Sequence, residues 1–439
     1  MHRGIVIIGG GFSGTMTAVH LARLGVRGIT LLERREHPAR GVAYGTEHAC
    51  HLLNVPAAKM SALPDEPDHF LQWLTRHEPA HAQPSAFVPR PFYARYLQAL
   101  LDECAGAVVT LRDEAIAISP DRGGLTVETR GGKALPATRV VLALGNFPPG
   151  NPPIATPGFY SSRRYVQWAW APHTFEGMQD ADAVLLVGSG LTTVDKALVL
   201  LQREHKGAIH VLSRRGLVPQ RHEPADALPP VLDPAHAPRT TLGLLKAVRA
   251  ATRSHKWRAV IDSLRPVTQE LWQNLPVDEK RRFMRRLRHF WDVHRHRVAP
   301  QVAEQLQAAI DAGRIIVHVG KLHGFHEDDS GVDALIDTSQ GRQKLHVQRV
   351  INCTGPESNY RNLHHPLVAS LLEQGLARTD ALAMGLDTDD RGALIGSDGK
   401  ASQVLFTLGP ALKGKLWETT AVPELRTQAR DLALRLASN

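Results

Sequence analysis

Paired cysteines are missing from this chain. Its 439 residues include three cysteines, Cys50, Cys104 and Cys353, which lie far apart with no C-x-x-C. That excludes a redox dithiol and a zinc ribbon. Aromatic residues make up only 5%, and no apolar run reaches the length of a membrane span, so no transmembrane helix and no membrane partner are expected. A strand-like run begins at Gly4. That leaves no stretch for a cleavable signal, and a cytoplasmic protein is expected. Acids are in deficit: 43 Asp and Glu face 52 Lys and Arg, for a formal charge of +9. The excess suits anionic ligands and does not by itself indicate nucleic acid. The length corresponds to roughly two to three domains.

What is present is glycine in a particular order. Residues 5–8 are an unbroken apolar run, as for a strand buried on both faces of a parallel sheet. Gly9-Gly10-Gly11-Phe12-Ser13-Gly14 follows and satisfies G-x-G-x-x-G. Gly9 allows the tight turn, Gly11 the approach of a pyrophosphate, and Gly14 the close packing of the next helix. The amides of that helix, with Phe12 and Ser13 in its first turn, would face the phosphates. A second strand over 29–32 ends in Glu33-Arg34. An acid about 20 residues past the last glycine accepts hydrogen bonds from a ribose diol.

The arrangement recurs at 183–195, where a strand leads to Gly188-Ser189-Gly190 and a helix. Thr193 takes the third glycine position. The next strand ends in Ser213-Arg214-Arg215, with no acid. A hydroxyl and two guanidiniums suit a 2′-phosphate, so this half favours NADPH. Two such sites place a flavin in the first and a nicotinamide in the second. Strands ending at Gly145, Gly355 and Gly409 complete the set. The expected fold is α/β, with two Rossmann-like dinucleotide-binding domains for FAD and NADPH. The second is inserted in the first and carries a helical insertion. Expected bounds are 1–172 with 346–439 for the FAD domain, and 173–345 for the NADPH domain with its insertion at 222–312.

Helical spacing runs through 244–252, 257–264, 268–275 and 277–298. In the last, Phe283, Leu287, Phe290 and Trp291 form an apolar stripe, and arginines crowd the other faces. A solvated basic face fits this pattern. So does a docking surface for an acidic substrate, carrier or protein partner. No nucleic-acid recognition motif accompanies the charge. His289, His294 and His296 lie among these arginines, and cation repulsion argues against a metal. Pro423 suits the first position of a helix that runs with Leu425, Ala429, Leu432, Ala433 and Leu436 as its buried stripe, and its N-terminus would favour the anionic edge of a reduced flavin. Asn54, Lys59, Arg90, Trp417 and Glu418 are the candidates at the reaction centre.

On the segments 9–14 with Glu33, 41–61, Pro89-Arg90, the Gly188 unit with residues 213–216, 291–300, 352–355 and 417–426, the chain resembles the FAD/NAD(P)-binding oxidoreductase family called YdhS-like. The likeness spans essentially the whole chain. It implies FAD, NADPH and flavin chemistry between them. More distantly the layout is similar to class B flavin monooxygenases, including ornithine and lysine N-hydroxylases. Baeyer–Villiger and FMO enzymes carry F-x-G-x-x-x-H after the first domain. Here Phe159 leads to Ser161 at the glycine position and Tyr165 at the histidine position. Gly409 is followed by Pro410, not by the aspartate of many relatives. The expected function is an NADPH-oxidising, FAD-dependent oxidoreductase, a monooxygenase acting on a small amine-type or other polar substrate. The alternatives are an NADPH:acceptor reductase without oxygen insertion, and a flavin-bound module that docks an acidic partner.

Overall fold

A computed structural model describes residues 4–438. The first strand, β1 (Gly4–Ile8), runs into α1 (Phe12–Arg23) and returns as β2 (Ile29–Glu33). Ile5 pairs with Ile29 in parallel register. A short α2 (Gly41–Tyr44), α3 (His69–His77) and α4 (Arg90–Asp102) precede β3 (Val108–Arg112). Then come β4 (Ala115–Asp121), β5 (Gly124–Thr129) and β6 (Ala134–Leu142). Two strands from the far end of the chain, β15 (Ala393–Ile395) and β16 (Ala401–Thr407), close this sheet, so its order is β15-β16-β6-β1-β2-β3, with β4 and β5 attached through β6.

Both faces of β1 are covered, as an unbroken apolar run requires. Ile5 and Ile7 join α1, α4 and the C-terminal helix in one core. Val6 and Ile8 join β4, β5 and a later helix in a second.

The second sheet begins with β7 (Tyr165–Val166) and β8 (Val184–Val187), followed by α5 (Leu191–Gln202) and β9 (Ile209–Ser213). The insertion supplies α6 (Thr241–Ala251), α7 (Trp257–Ser263), α8 (Thr268–Gln273), α9 (Val277–Arg286) and α10 (Arg288–Arg295). The run expected as one helix over 277–298 is therefore two, broken at Leu287 with φ −116°. Next, α11 (Pro300–Asp311) leads to β10 (Ile315–Val319). An antiparallel sheet of β11 (Lys321–Glu327), β12 (Val332–Thr338) and β13 (Gly341–Val347) follows. It shields one face of the second sheet, and α5 and α11 shield the other.

Then β14 (Arg349–Asn352) enters the second sheet beside β8. The chain goes on to α12 (Pro366–Glu373), β15 (Ala393–Ile395), β16 (Ala401–Thr407), α13 (Lys413–Leu416) and α14 (Val422–Ala437). Pro423 takes the second helical position of α14, and Val422, Leu425, Ala429, Leu432, Ala433 and Leu436 form its buried stripe. Each large aliphatic side chain there contributes about 1.5–3 kcal/mol by leaving water.

The pairing of β7 and β14 differs from division at 172/173 and 345/346. Both strands belong to the second sheet. We propose the crossings in the loops near Gly150 and Gly355. No helix among the described residues is long and apolar enough to cross a membrane.

Candidate functional site

The first glycine turn separates positions that the fold requires from one that it leaves open. Gly9 has φ +105°, and a Cβ there would lie 2.3 Å from Ala143 O. On Gly14 it would lie 1.9 Å from Gly9 O. These two serve packing. A Cβ on Gly11 would meet only Gly41 Cα, at 3.6 Å. The space over the start of α1 is thus free for a ligand group, and no side chain caps that helix end. Gly11, Phe12 and Ser13 stand there, Phe12 and Ser13 buried.

Glu33 is buried and accepts from Gly10 N at 2.7 Å and from Arg35 N at 2.9 Å. Its carboxylate is held at the end of β2 beside the glycine turn, where a ribose diol would reach it. These residues fit the adenosine half of FAD. Arg34 points away, pairing with Glu114 at 3.3 Å on the surface. The 39–45 loop was not foreseen as part of this turn. Ala39 N donates to Gly10 O at 2.8 Å, and a Cβ on Gly41 would come 3.0 Å from Gly11 Cα. Gly41 and Gly45, four positions apart after Pro38, were the available signal.

Gly145 and Gly409 come to the same end of the first sheet through the neighbouring strands β6 and β16. A Cβ on Gly409 would lie 3.1 Å from Ser13 Oγ. Gly409 N donates to Gln428 Oε1 at 3.0 Å, and Pro410 follows it.

The second turn repeats the logic. A Cβ on Gly188 would strike Cys353 O at 2.7 Å, whereas one on Gly190 meets nothing within 4 Å. Thr193 Oγ1 donates to Gly188 O at 2.7 Å, fastening helix to turn without the third glycine. Ser189 Oγ lies 2.9 Å from Ser213 Oγ and donates to Leu217 O at 2.5 Å. Arg214 and Arg215 are exposed and line an open cleft with Val319, Gly320 and Lys321. Gly355 leaves the neighbouring strand β14 through Thr354, whose hydroxyl donates to Asn352 Oδ1 at 2.7 Å. The set fits a phosphorylated dinucleotide.

The reaction-centre candidates divide. Arg90 is committed elsewhere: it forms a bidentate pair with Asp195 of α5, at 2.9 and 3.0 Å, and its Nε donates to Leu52 O at 3.0 Å. Arg90 thereby ties the first sheet's helical layer to the second. His51 Nε2 lies 2.9 Å from Asp195 O, and burial lowers its pKa to about 4. Asn54 is half-buried at the same seam, its carbonyl 2.9 Å from His222 Nε2. Lys59 is exposed at the end of a short 3-10 turn.

Trp417 and Glu418 stay together and buried. Trp417 has φ +61°, a region costly for a large side chain. Its ring stacks on Trp272 of α8, with centroids 5.0 Å apart. Glu418 accepts from Trp291 Nε1 at 2.8 Å. Burial alone would raise its pKa. Arg295, His296 and the Trp291 N–H outweigh that and hold the carboxyl below its ordinary range. Next along the chain, Thr419 Oγ1 donates to Gly409 O at 3.0 Å. This pair therefore sits within a few residues of the first glycine turn. Tyr165, at the FMO histidine position, is held by Asn151 at 2.7 Å and Asn352 at 3.2 Å.

The basic helices keep much of their charge occupied. Arg281, Arg282 and Arg288 pair with Asp278, Glu279 and Asp292 along their own helices. Arg297 pairs with Asp262. The insertion also grips the first domain: Arg265 forms a bidentate pair with Glu424 at 2.8 and 3.0 Å, and Trp272 Nε1 donates to Gly414 O at 2.9 Å.

A mixed first sheet and a parallel second one, each with a glycine turn and a helix at its strand ends, form a fold of the dinucleotide-binding type. Residues 6–147, about a third of the chain, match a sequence family described as FAD-NAD(P)-binding, so this N-terminal unit is an FAD/NAD(P)-binding domain. No curated protein matches the sequence. Among solved structures, the chain is similar to a Pseudomonas syringae L-lysine 6-monooxygenase (15% identity, all of both chains covered, TM-score 0.69). It is also similar to a Kutzneria ornithine N-hydroxylase solved with reduced FAD, NADP+ and L-ornithine (14% identity, 100% and 99% covered, TM-score 0.66). A Bacillus cereus bacillithiol disulfide reductase aligns less well (15% identity, 99% of both chains, TM-score 0.56). At these identities the likeness is one of fold.

Proposed function

We propose that the protein is an FAD-dependent oxidoreductase that oxidises NADPH and acts as a monooxygenase. The observation that carries this is the pair of turns at Gly9 and Gly188. Each leaves a glycine, Gly11 or Gly190, that packing does not demand. One turn is followed by a buried acid, the other by an exposed arginine pair. Gly11, Phe12, Ser13 and Glu33 would hold FAD, with Gly145 and Gly409 lining its path. Gly190, Ser213, Arg214 and Arg215 would hold NADPH, with Ser189 and Gly355 flanking it. FAD would supply the hydride acceptor and, once reduced, the electrons for dioxygen. The protein's part is to place the two cofactors and exclude water. The hydroxylase and monooxygenase neighbours support the oxygenating reading.

A reductase without oxygen insertion is favoured by one observation. Tyr165 stands at the position of a histidine in two oxygenating groups, and its hydroxyl is already occupied by two asparagines.

The test is anaerobic reduction of the purified yellow protein by NADPH and by NADH, followed by mixing with oxygen. NADPH should reduce it faster, and Arg214→Ala with Arg215→Ala should abolish that preference. Hydrogen peroxide well below the NADPH consumed, in the presence of substrate, supports a monooxygenase. One peroxide per NADPH under all conditions supports the reductase. A colourless protein that takes up no FAD overturns both.

A further inference from the structure

The apolar stripe of the helical insertion does not close on itself. Helices α6 to α10 surround a cavity of about 380 Å³, to which Val248, Ile261, Leu271, Phe283 and Trp291 contribute, with Trp417 of the first domain. Protein interiors leave few voids larger than a water molecule, and this volume falls at the lower end of ligand sites. Four of the seven tryptophans line it. Phe290, 46% exposed, and the exposed Arg249 and Thr252 mark a mouth. Trp272 and Trp417, 3% and 6% exposed, mark the floor. The floor is the end nearer Glu418, Thr419 and Gly409.

The chemistry of the wall is selective. Among the described residues no carboxylate lines it. The hydroxyls of Thr241, Thr252 and Thr268 are spent on backbone carbonyls. The N–H groups of Trp272 and Trp291 have acceptors, but the Trp417 N–H is buried without one. A cationic amine entering here would lose its hydration and gain no counter-charge. We propose that this cavity is the substrate pocket, and that it takes a neutral, largely apolar small molecule. This departs from the amine-type substrate expected from the sequence. That the ligand is a substrate rests on the flavin reading; that it binds does not.

The test is equilibrium dialysis of the full-length, FAD-loaded protein with acetophenone, with ethylbenzene and with L-ornithine. Saturable one-to-one binding of both aromatic probes, not displaced by ornithine, is expected. Val248→Trp should fill the cavity and weaken both aromatic probes about ten-fold or more, with the flavin spectrum unchanged. Saturable ornithine binding that displaces acetophenone would overturn the proposal. So would equal affinity of wild type and Val248→Trp, or no saturable binding by a protein that NADPH reduces. Binding without any NADPH oxidation would support the pocket and sink the oxidoreductase reading instead.

Discussion

Replacing Arg90 separates two accounts of that residue. Its guanidinium and the Asp195 carboxylate are 10% and 6% exposed, paired at 2.9 Å. In Arg90→Ala the carboxylate remains buried, with its bidentate partner gone. Loss of one member of such a pair costs about 3–5 kcal/mol. The Leu52 carbonyl also loses a charge-assisted donor, worth about 1.5–3 kcal/mol in other settings. Lys196 and His51 lie close to Asp195 and would recover part of this, so a net loss of about 3 kcal/mol is expected. The double variant Arg90→Ala/Asp195→Ala leaves no lone charge. It should be more stable than the sum of the single losses by about 2 kcal/mol. Release of FAD fluorescence on heating, together with urea unfolding, reads this directly. NADPH-driven flavin reduction measured well below the melting point should stay within a few-fold of wild type. Additive single effects, or a stable Arg90→Ala protein whose flavin is no longer reduced, would refute the structural account and return Arg90 to the reaction centre.

Gly188→Ala and Gly190→Ala should behave oppositely. The first forces a Cβ to 2.7 Å from a carbonyl at φ +111° and should destabilise by about 1–3 kcal/mol or more. The second should keep the melting temperature and weaken NADPH binding in titrations. Glu33→Gln should cost about 1–3 kcal/mol by turning an amide N–H toward one of two backbone donors, and should raise the FAD dissociation constant. Acid should also act through buried histidines: burial lowers His20, His51 and His210 to about 4. The unfolded chain takes up their protons below about pH 6.5, before the folded one does. Stability therefore falls between about pH 6.5 and 4 and is flat above, by up to about 1.4 kcal/mol per group at pH 5.5. His51→Gln should shrink the drop in melting temperature between pH 7.5 and 5.5, and an unchanged drop would remove His51 from the account.

The two glycine units were legible because their signals are local. A buried run, a turn that tolerates no Cβ and a small residue beneath a helix fall within about fifteen residues, and sterics fix their order. The two glycine turns therefore stand between strand and helix, as the sequence order implies. What was hidden depends on distance along the chain. Arg90 and Asp195 are 105 positions apart, and nothing local marks either as the other's partner. The stripe Phe283, Leu287, Phe290, Trp291 was visible, but its periodicity says only that one face is apolar. Whether that face meets a core or borders a void depends on α6 and α7. Likewise β7, only two residues long, and β14 read as parts of the flanking domain, since a strand's sheet is set by pairing and not by composition.

The grip of Arg265 on Glu424 and of Trp272 on Gly414 gives the molecule a mechanical property. The second sheet is joined to the first by two chain crossings and the Arg90–Asp195 clasp, and its own inserted helices reach back to hold the other body's C-terminal segment. The result is a closed linkage, like a four-bar frame rather than a hinge. In such a frame no member swings alone. Any rocking of the arginine-bearing sheet must shear the helices across Trp417. If the proposed nucleotide is exchanged by such rocking, the tryptophan-lined chamber would open or close with it.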